Sequence, residues 1–188
     1  MSSLTRMLAV LDLFTADKPA WSAEAIAAEL GYTVPTAYRY LRELGAAGLL
    51  RGDSGASYVL GPRIVEWDYQ IRTGDPLITA ARGPMHALAR DTGCDVVLGA
   101  VHGDRIITVH HEFGAEGIGP SYGRGRRLPL FRGALSKCIV AALPRARVRK
   151  LHTAATTQGA DQPDWDTVLQ DIAAVRRSGH AVTLGELD

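Results

Sequence analysis

The sequence is poor in cysteine, in lysine and in long apolar runs. Cys94 and Cys138 are its only cysteines. Two thiols without metal-ligand spacing exclude a disulfide scaffold and a cysteine-based zinc site, and they suit a reducing cytoplasm. No run of 18 apolar residues occurs, so no membrane-spanning helix is expected. The N-terminal MSSLTRMLAVLDLF carries one Arg ahead of an apolar stretch that Asp12 interrupts. No small-residue cleavage site follows, so it does not read as a signal peptide. Neither charge sign dominates. With 21 basic and 20 acidic residues the net charge is +1, and the total points to no polyanionic partner. Only 3 of the basic residues are Lys, which suits a GC-rich bacterial genome. What remains is the composition of a folded chain, 46% hydrophobic and 22% charged. Its 188 residues allow one large domain or two small ones.

The charge is unevenly placed. Residues 1–63 hold six basic and six acidic side chains, whereas 124–150 hold nine basic ones and no acidic one. That run reads either as a solvated Arg-rich face or as a site for an anion. Near the N-terminus, Leu4, Met7, Leu8, Leu11 and Phe14 repeat at helical spacing, and Lys18-Pro19 ends the helix they predict. Ser22 is a cap for a second helix, Ala23–Leu30, with Ile26, Ala27 and Leu30 inward and Gly31 as its stop.

The third helix runs from Val34 to about Ala47, with Thr33 as its cap and Pro35 in its first turn. Val34, Ala37, Tyr38, Leu41 and Leu44 form an apolar stripe. Thr36, Arg39 and Glu43 lie opposite, flanked by Tyr40 and Arg42. LLRGDSGASYVLG then reads as a hairpin around Asp53-Ser54-Gly55. Two helices joined by a short Gly-containing turn and followed by a hairpin describe a winged helix-turn-helix. The major groove admits one helix, whose outer face must reach base edges and phosphates. Arg39 can donate as a fork to guanine, Thr36 can meet a base or a phosphate, and Arg42 and Arg51 can hold phosphates. The alternative is a helical hairpin whose arginines face water.

A linker helix is expected over 64–75, with Ile64, Trp67 and Ile71 on one side, suited to a dimer seam or to packing within the chain. Thr73-Gly74-Asp75-Pro76 marks a boundary, giving domains 1–63 and 76–188 around the linker. The second domain opens with a helix kinked at Pro84. CDVVLGAV and RIITVHHEF form a hairpin, GAEGIGPSYGRG a loop and RRLPLF an extended segment. Helices follow over Gly133–Leu143, from Pro144, and around Trp165–Val175, and HAVTLGEL reads as a strand. The class is α+β.

Few residues invite catalysis. His110 and Glu112 share one strand face, His102 sits on the paired strand, and His111 joins the apolar face. This is a weak ligand set, and no metal or cofactor is expected. Ser136 and Lys137 are adjacent on a helix and point about 100° apart, and no His pairs with them or with Cys138, so no catalytic residue and no enzyme is expected. Gly117, Gly119, Gly123 and Gly125 lack the Lys-Ser/Thr of a phosphate loop and read as a cover over a ligand cavity or as exposed coil.

The order of the segments resembles the IclR-type bacterial transcription regulators. The resemblance rests on LAVLDLF, IAAELGYTVPTAYRYLRELGAAGLL, YVLGPR, PMHALARDTG, VVLGAV, GRGRRLPLFRGALSKCIVAALP and AVRRSGHAVTLGEL, in that order. It implies a winged helix, a linker helix and a GAF-like effector-binding domain. The implied partners are double-stranded DNA at a pseudo-palindromic operator, a small organic acid, and further copies of the chain as a homodimer or tetramer, with no membrane. The family's recognition positions fall on Pro35, Thr36, Arg39 and Arg42. Pro35-Thr36 replaces its usual Ser-Thr pair, which removes one hydroxyl. Together with the residue-level reading, the expected DNA contacts are Thr33, Pro35, Thr36, Arg39, Tyr40, Arg42 and Arg51. The implied effector cradle is Leu128, Leu130, Gly133, Ala134 and Cys138, with Thr183 and Glu186. Family effector domains continue beyond the GE motif, so this one is expected to lack its last portion, with an open sheet edge and a half-built pocket. The rival expectation is a GAF-like receptor or enzyme whose N-terminal helices dock a protein, which the neutral charge of residues 1–63 favours.

Overall fold

The first helix is shorter than its apolar spacing predicts. In the computed structural model, which describes residues 2–117, 123–157 and 159–187, α1 covers only Ser3–Leu8, and a 3-10 turn follows at Leu11–Leu13. The tighter turn advances the chain about 120° per residue. Val10 is thereby fully buried, while Leu4 and Leu8 stay at the surface, correcting the stripe read from the sequence.

The chain divides into two compact units, Met1–Asp75 and Pro76–Asp188. In the first, β1 (Trp21–Ser22) leads directly into α2 (Ala23–Leu30). Ser22 Oγ accepts from the Ala25 amide, and Gly31 ends α2 in the left-handed region at φ +65°. Here an L side chain would be strained. Thr33 caps α3 (Val34–Ala46) by accepting from the Thr36 amide.

The buried side of α3 is Ala37, Tyr40, Leu41 and Leu44. The apolar stripe is therefore rotated by about 45° from the expected one. Tyr40 is 4% exposed and Tyr38 47% exposed. Both carry an apolar ring with a polar tip, so composition does not rank them. Tyr40 goes inward because its ring meets Tyr32 edge-on at 5.8 Å and its hydroxyl finds Ser3 Oγ at 3.2 Å. Tyr40 is a core residue, and its expected place on the DNA face is corrected.

The wing is β2 (Leu50–Asp53) and β3 (Ser57–Leu60), antiparallel from Leu50↔Leu60 to Asp53↔Ser57. β1 pairs with the other edge of β3, giving the order β1-β3-β2. α4 (Pro62–Gly74) follows and buries none of its residues fully.

The second unit begins with α5 (Pro76–Thr92), continuous through Pro84. β4 (Val96–His102), β5 (Arg105–Glu112) and β6 (Arg127–Leu128) form an antiparallel sheet in that order. β6 has two residues because Pro129 has no amide to donate to a ladder. α6 (Ala134–Ala142), α7 (Arg145–Thr157) and α8 (Trp165–Ser178) complete the unit. Its core joins Ile106, Leu128 and Phe131 to Val140, Val148 and Ile172. The glycine-rich segment includes residues 118–122, which lie outside the described residues.

HAVTLGEL is not a strand. Val182 and Leu184 are 86% and 98% exposed. Gly185 bends the chain at φ +63°. Thr183 and Glu186 instead spend their polar atoms on the start of α6.

Two glycines of the first unit respond oppositely to a methyl group. A Cβ on Gly61 would lie 2.2 Å from the Gly48 carbonyl oxygen, which is backbone and cannot swing aside. Gly61→Ala is expected to destabilise this unit by about 2 kcal/mol or more. Gly45, within α3, has nothing within 4 Å of its Cβ position. Gly45→Ala is expected to stabilise by about 0.5–1 kcal/mol. Thermal or urea unfolding of the two variants checks both signs.

Candidate functional site

The burial of Ala37, Tyr40, Leu41 and Leu44 dictates what α3 shows to solvent. At about 100° per residue, Pro35, Arg39 and Arg42 form the opposite ridge. All three are exposed. The Arg39 guanidinium lies 5.3 Å from the Tyr40 ring centre. Arg42 pairs with its neighbour Glu43 at 3.1 Å, with both side chains more than half in water. Such a pair holds weakly, and a phosphate can replace the carboxylate. The Thr33 and Thr36 hydroxyls are 2.9 Å apart. Arg51 is exposed on β2, opposite Val59 of β3.

Tyr38 is the residue of this face that sequence periodicity placed in the core. Its hydroxyl donates to Glu24 Oε1 at 3.0 Å, linking α3 to the first turn of α2. The Glu24 carboxyl lies below its usual range, chiefly because a backbone amide at the helix start donates to it, and next because Tyr38 does. The same hydrogen bond raises the Tyr38 hydroxyl. A signal existed in the sequence, since Ser22 places Glu24 in a first turn. The contact with Tyr38, 14 residues on, belongs to the helix crossing.

In the second unit, four of the seven residues of the implied cradle come together at the N-terminus of α6. The Gly133 amide donates to Glu186 Oε2 at 2.9 Å, and the Ala134 amide donates to Thr183 Oγ1 at 3.2 Å. These are free donors of a helix start, where negative charge is favoured. Leu128 lies in the core, and Leu130 and Cys138 pack against it half-buried. Lys137, outside the implied cradle, joins this cluster. Its Nζ meets Glu186 Oε1 at 2.8 Å and Asp171 Oδ2 at 3.1 Å. An open cavity of about 300 Å³ beside this cluster is lined by Phe131, Arg132, Lys137, Thr167, Asp171 and Glu186, with Pro163 and Gly185. Asp171 is 34 residues from Lys137, a distance no local pattern spans.

Ser136 Oγ is buried without a hydrogen-bond partner among the described residues, while Lys137 turns to its carboxylates. The two do not form a nucleophile and base. His110 Nε2 meets Glu112 at 2.7 Å, and His86 Nδ1 lies 3.6 Å from the same carboxylate. Among the described residues no group of three His, Cys, Asp or Glu side chains is arranged to hold a metal ion. No helix among them is long and apolar enough to cross a membrane.

The Lys137 cluster ties stability to pH. Lys137 and then the Gly133 amide hold the Glu186 carboxyl below its ordinary 4.5. A depressed carboxylate contributes stability that is present above its unfolded value and is lost as pH falls through the folded one. Stability of the second unit should therefore drop as pH falls below about 4.5, and Glu186→Gln should flatten that acid limb. Urea midpoints measured from pH 7 to pH 3 check this.

Comparison with known proteins agrees with this geometry. Residues 3–54 match the IclR helix-turn-helix domain, and residues 71–188 match the bacterial transcriptional regulator IclR C-terminal domain. The HTH-type transcriptional regulator KipR of Bacillus subtilis is 25% identical over 99% of this chain and 75% of its own length. The solved structure of an IclR family transcriptional regulator from Brucella abortus superposes with a TM-score of 0.81 at 21% identity, over all of this chain and 72% of that one. An IclR homolog from Microbacterium hydrocarbonoxydans, solved with 4-hydroxybenzoate, gives 0.74 at 19%, over all of this chain and 79% of that one. With both domain models matched in order on a winged helix and a mixed effector domain, the chain belongs to the IclR family of bacterial transcriptional regulators.

Proposed function

We propose that the chain is a regulator that binds a pseudo-palindromic operator as a dimer or tetramer, and that a small organic acid modulates this binding. The observation that carries the DNA reading is the solvent ridge of α3. Arg39 is the base reader, able to fork onto guanine, and Arg42 holds a phosphate once it leaves Glu43. Arg51 supplies a phosphate contact from the wing. Thr33 and Pro35 shape the helix start, and the Thr36 hydroxyl, engaged with Thr33, is a secondary contact.

The assembly reading rests on α4. Val65, Tyr69 and Ile71 are 67%, 63% and 52% exposed, and α4 buries no residue fully. A helix so apolar on its outside suits a second copy of itself. The effector reading rests on α6. A carboxylate arriving at Gly133 and Ala134 would take over the donors now held by Glu186 and Thr183. The 4-hydroxybenzoate complex of the Microbacterium homolog supports an acid of that size.

Selection from a randomised duplex library by the purified chain tests the reading. An inverted repeat with half-sites about 34–36 Å apart is the expected result. Enrichment of nothing by the folded chain counts against it. Arg39→Ala should cost about 1–3 kcal/mol at one base pair and relax preference there, read from affinities for single-base variants of the selected site. Val65→Glu combined with Tyr69→Glu should shift the chain toward monomer in sedimentation and weaken full-site binding more than half-site binding.

A further inference from the structure

We propose that Tyr38 reads a base in the operator, and that Glu24 positions it by fixing the Tyr38 hydroxyl as an acceptor for the exocyclic amino group of an adenine or cytosine. This rests on the reading of α3 as the recognition helix.

The geometry comes from two helices. On α3, Tyr38 is four residues before Arg42 and three after Pro35, so the three share one patch of helix surface. Tyr38 is 47% exposed, carried to the surface by the burial of Ala37, Tyr40, Leu41 and Leu44. Its hydroxyl proton is committed to Glu24 Oε1 at 3.0 Å. A phenol has one proton and two lone pairs. With the proton given to an anion, only acceptor capacity points outward, and hydrogen bonding to that anion strengthens the acceptor. In the major groove, adenine N6 and cytosine N4 are donors, whereas thymine O4 and guanine O6 and N7 are acceptors. The clamped hydroxyl matches the first pair and repels the second. The nearby Thr36 hydroxyl is engaged with Thr33, and the arginines only donate. Beside the Glu43 carboxylate, which Arg42 engages at 3.1 Å, Tyr38 is therefore the side-chain acceptor of fixed geometry that the outer face of α3 offers to an amino-bearing base. Glu24 acts through Tyr38 and is a positioning residue.

Duplex selection with the full chain, wild type beside Tyr38→Phe and Glu24→Ala, tests the proposal. Both side chains are at the surface, so neither change opens a cavity. In the wild-type site, one column of each half-site should be restricted to adenine or cytosine on one strand. Tyr38→Phe should lower that preference roughly tenfold and leave the other columns unchanged. Glu24→Ala frees the hydroxyl to donate, and should admit thymine and guanine in the same column. A wild-type site whose columns both variants reproduce overturns the inference. So does a uniform loss of affinity across all columns, which is what a purely structural role would give. A wild-type chain that enriches no sequence overturns the DNA reading itself and this inference with it. That result is distinct from a site that is selected but read without Tyr38.

Discussion

The rotation of α3 about its own axis governs the first unit. Four side chains, Ala37, Tyr40, Leu41 and Leu44, lie against Val10, Trp21, Ile26 and Leu50. Close-packed interiors leave a helix little freedom to turn. Once these four are inside, Pro35, Arg39 and Arg42 have to be outside, and Tyr38 is carried to the rim facing α2. The chemistry offered to DNA is the complement of the core. A change in the core that turned α3 by half a residue would re-aim Pro35, Tyr38, Arg39 and Arg42 at once.

The wing and the linker helix depend on the same frame. Gly48 and Gly61 touch through their backbones, so the chain leaving α3 and the chain entering α4 are held together at the base of the wing. The Gly61 amide donates to Leu49 O at 2.7 Å there. This crossing sets where β2 carries Arg51 and where α4 begins. α4 itself leaves Val65 and Tyr69 in water, which distinguishes it from α2 and α3, whose apolar sides are satisfied within the unit.

In the second unit, the start of α6 plays the organising part. Its first amides need acceptors, and Thr183 and Glu186 bring them from 49 to 53 residues away. Lys137, one turn along the same helix, returns charge to Glu186 and reaches Asp171 on α8. Burial alone would lower the Lys137 ammonium, and its two carboxylates outweigh that and raise it. Helix dipole, ion pairs and the bend at Gly185 thus favour one placement of the terminal segment, in which HAVTLGEL is not a strand.

The sequence by itself determined what is local. Caps at Ser22 and Thr33, the stop at Gly31 and the hairpin around Asp53-Ser54-Gly55 are decided by a few consecutive residues, through hydrogen bonds that span three or four positions and through φ values that glycine adopts freely. The ordered motifs carried the family for the same reason. Only the tertiary structure decided what depends on two distant segments meeting. It chose Tyr40 over Tyr38 for the core, because Tyr32 and Ser3 were waiting for one ring and one hydroxyl. It paired Tyr38 with Glu24, Lys137 with Asp171, and β1 with β3. It left Val182 and Leu184 exposed. Periodicity reports how apolar a face is but not which neighbour will complete it, since packing and polar pairing are properties of two surfaces and a sequence pattern describes one.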